Sequence, residues 1–234
     1  MRSIAYLCTS NKLLMKKLFT FLLFSIAAIS TVSAQGTKGL GTNDPAAKKI
    51  LDAVSAKFKT YKAVQAKFSL KIENSAGKTQ GSKTGTVYMK GSKYRISVTG
   101  QEIFSDGSNV WTYDKPSNEV TISKIDPSAN TLTPQKLFTN FYDKDFLYKL
   151  NGLTKIGGKS FNEIELTPTD KTKAFFKILL YVDKNAIVST KLFEKTGNRY
   201  TYTTSSLVGN ATIPDATFIF DAKKFPGAEL VDLR

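Results

Sequence analysis

Side chains suited to chemistry are scarce in this sequence. It contains no histidine and a single cysteine, Cys8. Ser-His-Asp and Cys-His nucleophiles and imidazole proton relays are therefore excluded, and zinc and non-haem iron lose their commonest ligand. The 19 carboxylates are the remaining acid–base groups, and they are spread along turns and strand edges without clustering. A glycan-cleaving enzyme would need two of them about 5–9.5 Å apart. Asp106-Gly107 lies between apolar runs, where Asp-Gly is hairpin-turn chemistry rather than half of a carboxylate pair. Lys191, Phe193, Lys195, Arg199, Tyr200 and Tyr202 interleave bases with aromatics, as nucleic-acid surfaces do, but no Gly-rich phosphate loop or nucleic-acid motif accompanies them.

The first 34 residues have the layout of a secretory signal: Met15-Lys16-Lys17, an apolar run from Leu18 to Ile29, and Val32-Ser33-Ala34 before Gln35. Met15 competes with Met1 as the true start. The apolar run is about twelve residues, short of the roughly 20 that span a bilayer. Cleavage after Ala34 removes four bases (Arg2, Lys12, Lys16 and Lys17), no acid, and Cys8, taking the formal charge from +15 to +11. Such an exported chain forms no disulfide and carries no lipid on a cysteine of its own, so its core alone must hold it together. Export also argues against nucleic acid as partner. The remaining charge suits weak attraction to anionic headgroups or acidic protein surfaces. Residues 35–43 read as a flexible leader and 44–234 as one domain.

That domain opens with a helix. Asn43 or Asp44 caps it, Pro45 suits its first turn, and Ala47, Ile50, Leu51, Val54, Phe58 and Tyr61 recur at helical spacing. The period then drops to two: Val64, Ala66, Phe68, Leu70 and Ile72 alternate with polar residues, the mark of a half-buried strand. Val87 and Met89 belong to a second strand; Tyr94, Ile96 and Val98 to a third. Further strands are expected at Ile103-Phe104, Val110–Tyr113, Val120–Ile125, Phe146–Leu150, Phe161–Leu166, Phe175–Val182, Ile187–Phe193, Tyr200–Val208 and Thr217–Phe220. A second helix is expected over Leu132–Phe141, with Leu137, Phe138 and Phe141 as its apolar face.

Roughly eleven strands joined by short turns imply a mainly β fold with an antiparallel sheet that curls without necessarily closing. Its concave side is either packed solid by the helices or left as a cavity that they cover. Pattern alone leaves both open.

Several stretches resemble a known family, the outer-membrane lipoprotein carrier proteins of the bacterial periplasm. Asp44-Pro45 followed by Val64-Gln65-Ala66-Lys67-Phe68 resembles the family's opening helix and first strand. Gly85-Thr86-Val87-Tyr88-Met89-Lys90 is similar to its second strand. Ser105-Asp106-Gly107-Ser108-Asn109-Val110-Trp111-Thr112-Tyr113 resembles its most recognisable hairpin. Asp215 to Phe220, with Pro226 to Asp232, is similar to its ending. Nearly the whole of 44–234 is covered. The chain departs from the family where Lys90-Gly91-Ser92 stands for the usual Lys-Arg-Pro and Tyr94-Arg95-Ile96 for Phe-Arg-Trp. The missing first arginine is one the family uses to close its lid.

The resemblance implies an incompletely closed antiparallel β-barrel whose short helices cover a concave hydrophobic side that binds lipoprotein acyl chains. It implies no catalytic group and no cofactor. It also implies a periplasmic location, a monomer, an inner-membrane lipoprotein export ATPase complex as donor and an outer-membrane acceptor. The acyl site is expected from Ile50, Leu51, Val54 and Phe58 on the first helix, Phe68, Leu70 and Ile72 on the first strand, and Val87, Met89, Tyr94 and Ile96 on the next two. Trp111 and Tyr113, two apart on one strand face, and Leu137, Phe138 and Phe141 complete it. A sensor that binds lipid or lipoprotein and signals onward, a carrier of another specialised lipid, and a carboxylate-dependent enzyme are the competing readings. The sensor lacks the extra domain such proteins usually append.

Overall fold

The computed structural model describes residues 43–125 and 142–234. Helix α1 (Pro45–Lys59) begins where Asp44 accepts a hydrogen bond from the Ala46 amide at 2.8 Å. The other Asp44 oxygen accepts from the Leu150 amide at 3.0 Å, and the Asp44 amide donates to the Tyr148 carbonyl. One carboxylate thus both caps the helix and fastens it to the sheet. The Leu150 and Ala46 amides hold its pKa below the usual value. Asp44→Ala is expected to lower the midpoint of chemical denaturation, with Asp44→Asn recovering part of the loss.

The strands are β1 (Val64–Glu73), β2 (Thr79–Lys90), β3 (Lys93–Val98), β4 (Gln101–Ser105), β5 (Asn109–Asp114) and β6 (Glu119–Lys124). After the short helix α2 (Tyr142–Asp145) come β7 (Phe146–Ile156), β8 (Lys159–Pro168), β9 (Phe175–Asp183), β10 (Ala186–Glu194), β11 (Arg199–Gly209) and β12 (Glu229–Asp232). They form one twelve-stranded sheet in the order β12-β6-β5-β4-β3-β2-β1-β11-β10-β9-β8-β7. The two edge strands, β12 and β7, do not pair with each other, so the sheet is not closed.

Two sequence expectations are corrected here. Thr217–Phe220 is not a strand: a 3-10 turn spans Asp215–Phe218, since Pro214 starts it and the Thr217 amide donates back to the Pro214 carbonyl. The last strand is instead Glu229–Asp232, and it runs parallel to β6 although every other pairing among the described strands is antiparallel. A parallel partner needs a long connection. Residues 210–228 supply it by crossing a sheet face.

Strand register defines two faces. Val64↔Met89, Ala66↔Val87, Met89↔Tyr94 and Val87↔Ile96 place these side chains together, and α1 lies on the same face through Phe58. We call it the inner face. On β7–β10 it carries Tyr148, Ile164, Leu166, Ile178, Leu180 and Val182, packed against Ala47, Leu51 and Val54. α2 joins this core: the Tyr142 ring lies edge-on to Tyr148, and its hydroxyl donates to Asp52 on α1 at 2.7 Å.

The opposite, outer face has its own apolar layer on β2–β6, covered by the 210–228 connection. Phe218 is fully buried there with Ala63 and Ile213, and the Phe220 and Phe225 rings pack on Phe104. Asn118, at φ 50°, fixes the end of that segment: its side-chain amide donates to the Gly227 carbonyl, and its oxygen accepts from the Tyr113 hydroxyl.

Candidate functional site

α1 does not cover the inner face evenly. It runs from Tyr148 on β7 towards the β9–β10 turn, where the Lys57 ammonium donates to the Lys184 carbonyl, so it crosses the strands obliquely. Beside Phe58, in its last turn, and Tyr61 just beyond it, Val64, Ala66, Met89 and Tyr94 are buried. Farther along the same strands Phe68, Leu70, Ile72, Val87 and Ile96 are only half-buried. Ladder partners extend this half-covered zone: Leu70 faces Tyr202 and Ile72 faces Tyr200 across β11, while Ile103 faces Ile96 across β4. The Phe68 ring lies 6.2 Å from Tyr202 and directly over Gly85, where an added Cβ would stand 2.6 Å from it. Gly85 lets that ring lie flat on β2. The result is a largely apolar sheet surface, with Lys83 opposite Leu70 on β2, whose side chains retain area to give to a ligand.

Most of the sequence-based site residues meet on this face. Leu51 and Val54 are core residues on the buried side of α1, Ile50 packs at the margin of that core, and Phe58 packs with the cluster of Val64, Ala66, Met89 and Tyr94. Leu137, Phe138 and Phe141, with the helix expected around them, lie outside the described residues. Trp111 and Tyr113 do share a strand face, as expected, but it is the outer one. Phe104↔Trp111, Glu102↔Tyr113 and Arg95↔Phe104 place them across the sheet from Ile96 and Val87, and the Tyr113 ring lies 4.5 Å from Phe225. The physical reason is parity. The turn at Asp106-Gly107 pairs Ser105 with Val110, so Val110 and Thr112 are the β5 residues that face inward. Trp111 and Tyr113 are therefore removed from the site.

Asp106 is a turn residue, as expected. Its carboxylate accepts from the Ser108 and Asn109 amides, both at 2.7 Å, and Gly107 adopts φ 96°. Burial opposes ionisation of this group, but those amides outweigh it and leave its pKa lowered. Arg95 is neither a solvated strand residue nor an inner-face one: it pairs with Glu102 at 2.6 Å and stands over the Phe104 ring on the outer face. Gly91 adopts φ 57° in a two-residue hairpin loop between β2 and β3, a conformation that would strain an arginine. Lys90 beside it binds Asp215 at 2.9 Å.

Tyr200 and Tyr202 are inner-face residues that the basic-aromatic pattern obscures. Alternation along β11 separates them from Arg199 and Thr201, and that alternation is the available signal. It also splits the nucleic-acid pattern, because Lys191, Phe193 and Arg199 belong to the outer face.

The outer face of β8–β11 and β1 holds a separate concavity of about 500 Å³, with Glu73, Tyr181, Ser189 and Lys191 in its wall. Glu73 is 8% exposed and lies between Lys71 at 2.9 Å and Lys191 at 3.2 Å. The Lys71 hydrogen bond, with Lys191, outweighs burial and lowers its pKa. A carboxylate depressed in the folded state contributes stability above its unfolded pKa of about 4.3 and loses that contribution as pH falls through the folded value. The stability gap between wild type and Glu73→Gln is therefore expected to be constant above about pH 5 and to close on acidification, as denaturant titrations across pH would record. This ion-paired carboxylate is a structural group rather than an acid–base one. Among the described residues no cluster of three or more metal-ligating side chains occurs.

The family model described as outer membrane lipoprotein carrier protein LolA matches residues 59–221. The chain belongs to that family. The outer-membrane lipoprotein carrier protein of Pseudomonas putida (strain W619) is 25% identical over 214 residues, covering 90% of this chain and 96% of that one. The protein of the same name from Cupriavidus necator is 28% identical over 167 residues, 69% of this chain and 76% of that one. Among solved structures, an uncharacterized conserved protein from Thermus thermophilus shares the fold with a TM-score of 0.53 at 13% identity, over 80% of this chain and 99% of that one. As a member of a lipoprotein carrier family, the protein is not an enzyme. The span matched by the carrier family runs from the last residue of α1 past β11 and the 3-10 turn at Asp215–Phe218, so it contains β1 to β11 and leaves β12 outside.

Proposed function

We propose that this protein is a periplasmic carrier that holds lipoprotein acyl chains on the half-covered inner face and moves them from the inner to the outer membrane. The observation that supports this most is the graded cover of that face: Val64 and Met89 are buried in the cluster that Phe58 and Tyr61 pack against, whereas Phe68, Leu70, Ile72, Tyr200 and Tyr202 keep accessible apolar area. Exposing an acyl chain to water costs about 0.8 kcal/mol per methylene, so a lipoprotein needs such a surface to cross an aqueous compartment. Release then requires an acceptor that binds the chains more tightly than this face does. In this reading residues 1–34 are removed by cleavage after Ala34, the donor is an inner-membrane ATP-driven exporter and the acceptor lies at the outer membrane. No helix among the described residues is long and apolar enough to cross a membrane. Native mass spectrometry of the protein isolated gently from its own periplasm tests the proposal. Bound acylated lipoprotein is the expected result, a different lipid would redirect it to a specialised carrier, and a reproducibly empty protein would overturn it.

A further inference from the structure

One end of the sheet concentrates positive charge around exposed aromatic rings. The β1–β2 turn, the β10–β11 turn and the β8–β9 loop meet there. The Arg199 guanidinium donates to the Ser75 carbonyl, the Lys195 amide to the Ala174 carbonyl and the Lys195 ammonium to the Lys171 carbonyl. The Phe193 ring has Lys177 at 4.6 Å, Lys191 at 5.7 Å and Arg199 at 5.8 Å from its centroid. Phe176, 48% exposed, lies 6.1 Å from the same ring. The bases Lys171, Lys173, Lys177, Lys191, Lys195 and Arg199 outnumber the carboxylates beside them. Of these, Glu73 is taken up by Lys71 and Lys191, Glu194 accepts from the Thr196 hydroxyl, Asp170 accepts from Thr172 and lies near Lys173 and Lys195, and Asp145 adjoins Thr169 through its backbone.

We infer that this end docks on an anionic bilayer surface, with the bases against lipid phosphates and Phe176 entering the headgroup layer. Bases beside a membrane are attracted by its negative surface potential, and aromatic rings prefer its interfacial zone. The chemistry favours a bilayer over an acidic protein because the charge is spread over the β8–β9 loop, the β10–β11 turn and the adjoining strand ends around an exposed ring. Of the six bases only Lys191 also lies in the wall of the outer-face concavity, and none is on an edge strand. Position gives the docking a use. Ile72 and Tyr200, at the open part of the inner face, directly adjoin Glu73 and Arg199, so a docked molecule would present that apolar surface beside the bilayer. That use rests on the carrier reading; the docking itself does not.

Cosedimentation of the cargo-free protein with phosphatidylglycerol-containing vesicles, against phosphatidylcholine vesicles, tests it. Binding to the anionic vesicles alone, weakening as salt rises, is expected. Lys177→Gln with Lys195→Gln should weaken it about twenty-five-fold, at about fivefold per base, and Lys195→Gln alone, in an exposed turn, about fivefold. Phe176→Ala should weaken it severalfold, while Lys115→Glu with Lys124→Glu, distant on the β5–β6 hairpin, should leave it within twofold. Equal binding to both vesicle types, or equal loss from the distant pair, would overturn the inference. Retention on an acidic polypeptide surface without vesicle binding would overturn it in favour of an acidic protein partner. None of these outcomes bears on whether the isolated protein carries acyl chains, which native mass spectrometry reads separately.

Discussion

Leu70→Arg is expected to weaken acyl-chain binding about fiftyfold while leaving the fold intact. Leu70 is half-buried in the open zone of the inner face, opposite Tyr202 on β11 and in line with Phe68 and Ile72. An arginine there can carry its stem along the sheet and its charge to water, so folding survives. A bound chain, however, loses the cover of about three methylenes at about 0.8 kcal/mol each, and tenfold in affinity corresponds to about 1.4 kcal/mol. Leu70→Met preserves volume and should bind nearly normally. Asp106→Asn should too, because an asparagine oxygen can still accept from the Ser108 and Asn109 amides on the far hairpin. Leu51 is a poor probe by comparison. It is 2% exposed on the core side of α1, so Leu51→Glu would bury an unpaired charge and report on folding, not on binding. Fluorescent fatty-acid displacement, with circular dichroism on each variant, measures the series; equal losses in Leu70→Arg and Asp106→Asn at intact fold would contradict the inner-face assignment.

Phe218→Ala carries the largest expected loss of stability, about 3–5 kcal/mol. Its ring is fully buried with Ala63 and Ile213 and partly roofs Tyr88, so nothing nearby is free to fill the space. For a domain of this size the loss corresponds to a fall in Tm of about 6–20 °C. The same substitution loosens the 210–228 connection that β12 anchors to β6. Trp111, the only tryptophan, lies on the same outer face and so reports this directly. Its emission is expected to change at lower denaturant than the far-ultraviolet signal of the sheet. Acyl binding by the folded variant should remain near normal, because the inner face is on the other side. An unchanged Tm would contradict this account of the outer layer.

The period-two pattern carries most of the fold. Val64 to Ile72 alternates cleanly because one side of β1 belongs to the apolar inner face and the other carries polar side chains, and the helical stripe from Ala47 to Phe58 is as plain because α1 covers a single sheet face. What alternation cannot supply is which side of a given strand is inner. Each hairpin resets parity, and the outer face of β4–β6 is itself apolar under Phe218, Phe220 and Phe225. Trp111 and Tyr113 therefore have the pattern of cavity residues while packing on the opposite side. The same tail hides its own structure: Phe218 and Phe220 have the spacing of a strand, but their spacing serves a 3-10 turn laid across a sheet, and the real pairing comes later at Glu229–Asp232. Tyr200 and Tyr202 escape notice for the converse reason, since the bases around them suggest one surface where β11 has two.

Photo-crosslinking of an acylated lipoprotein from single positions on the two faces tests the central claim most directly. A photoreactive phenylalanine analogue at Phe68 or Tyr202 is expected to capture the acyl chain, and the same analogue at Trp111 is expected to capture none. Capture from position 111 with none from 68 or 202, in variants that remain folded, would contradict the placement of cargo on the inner face.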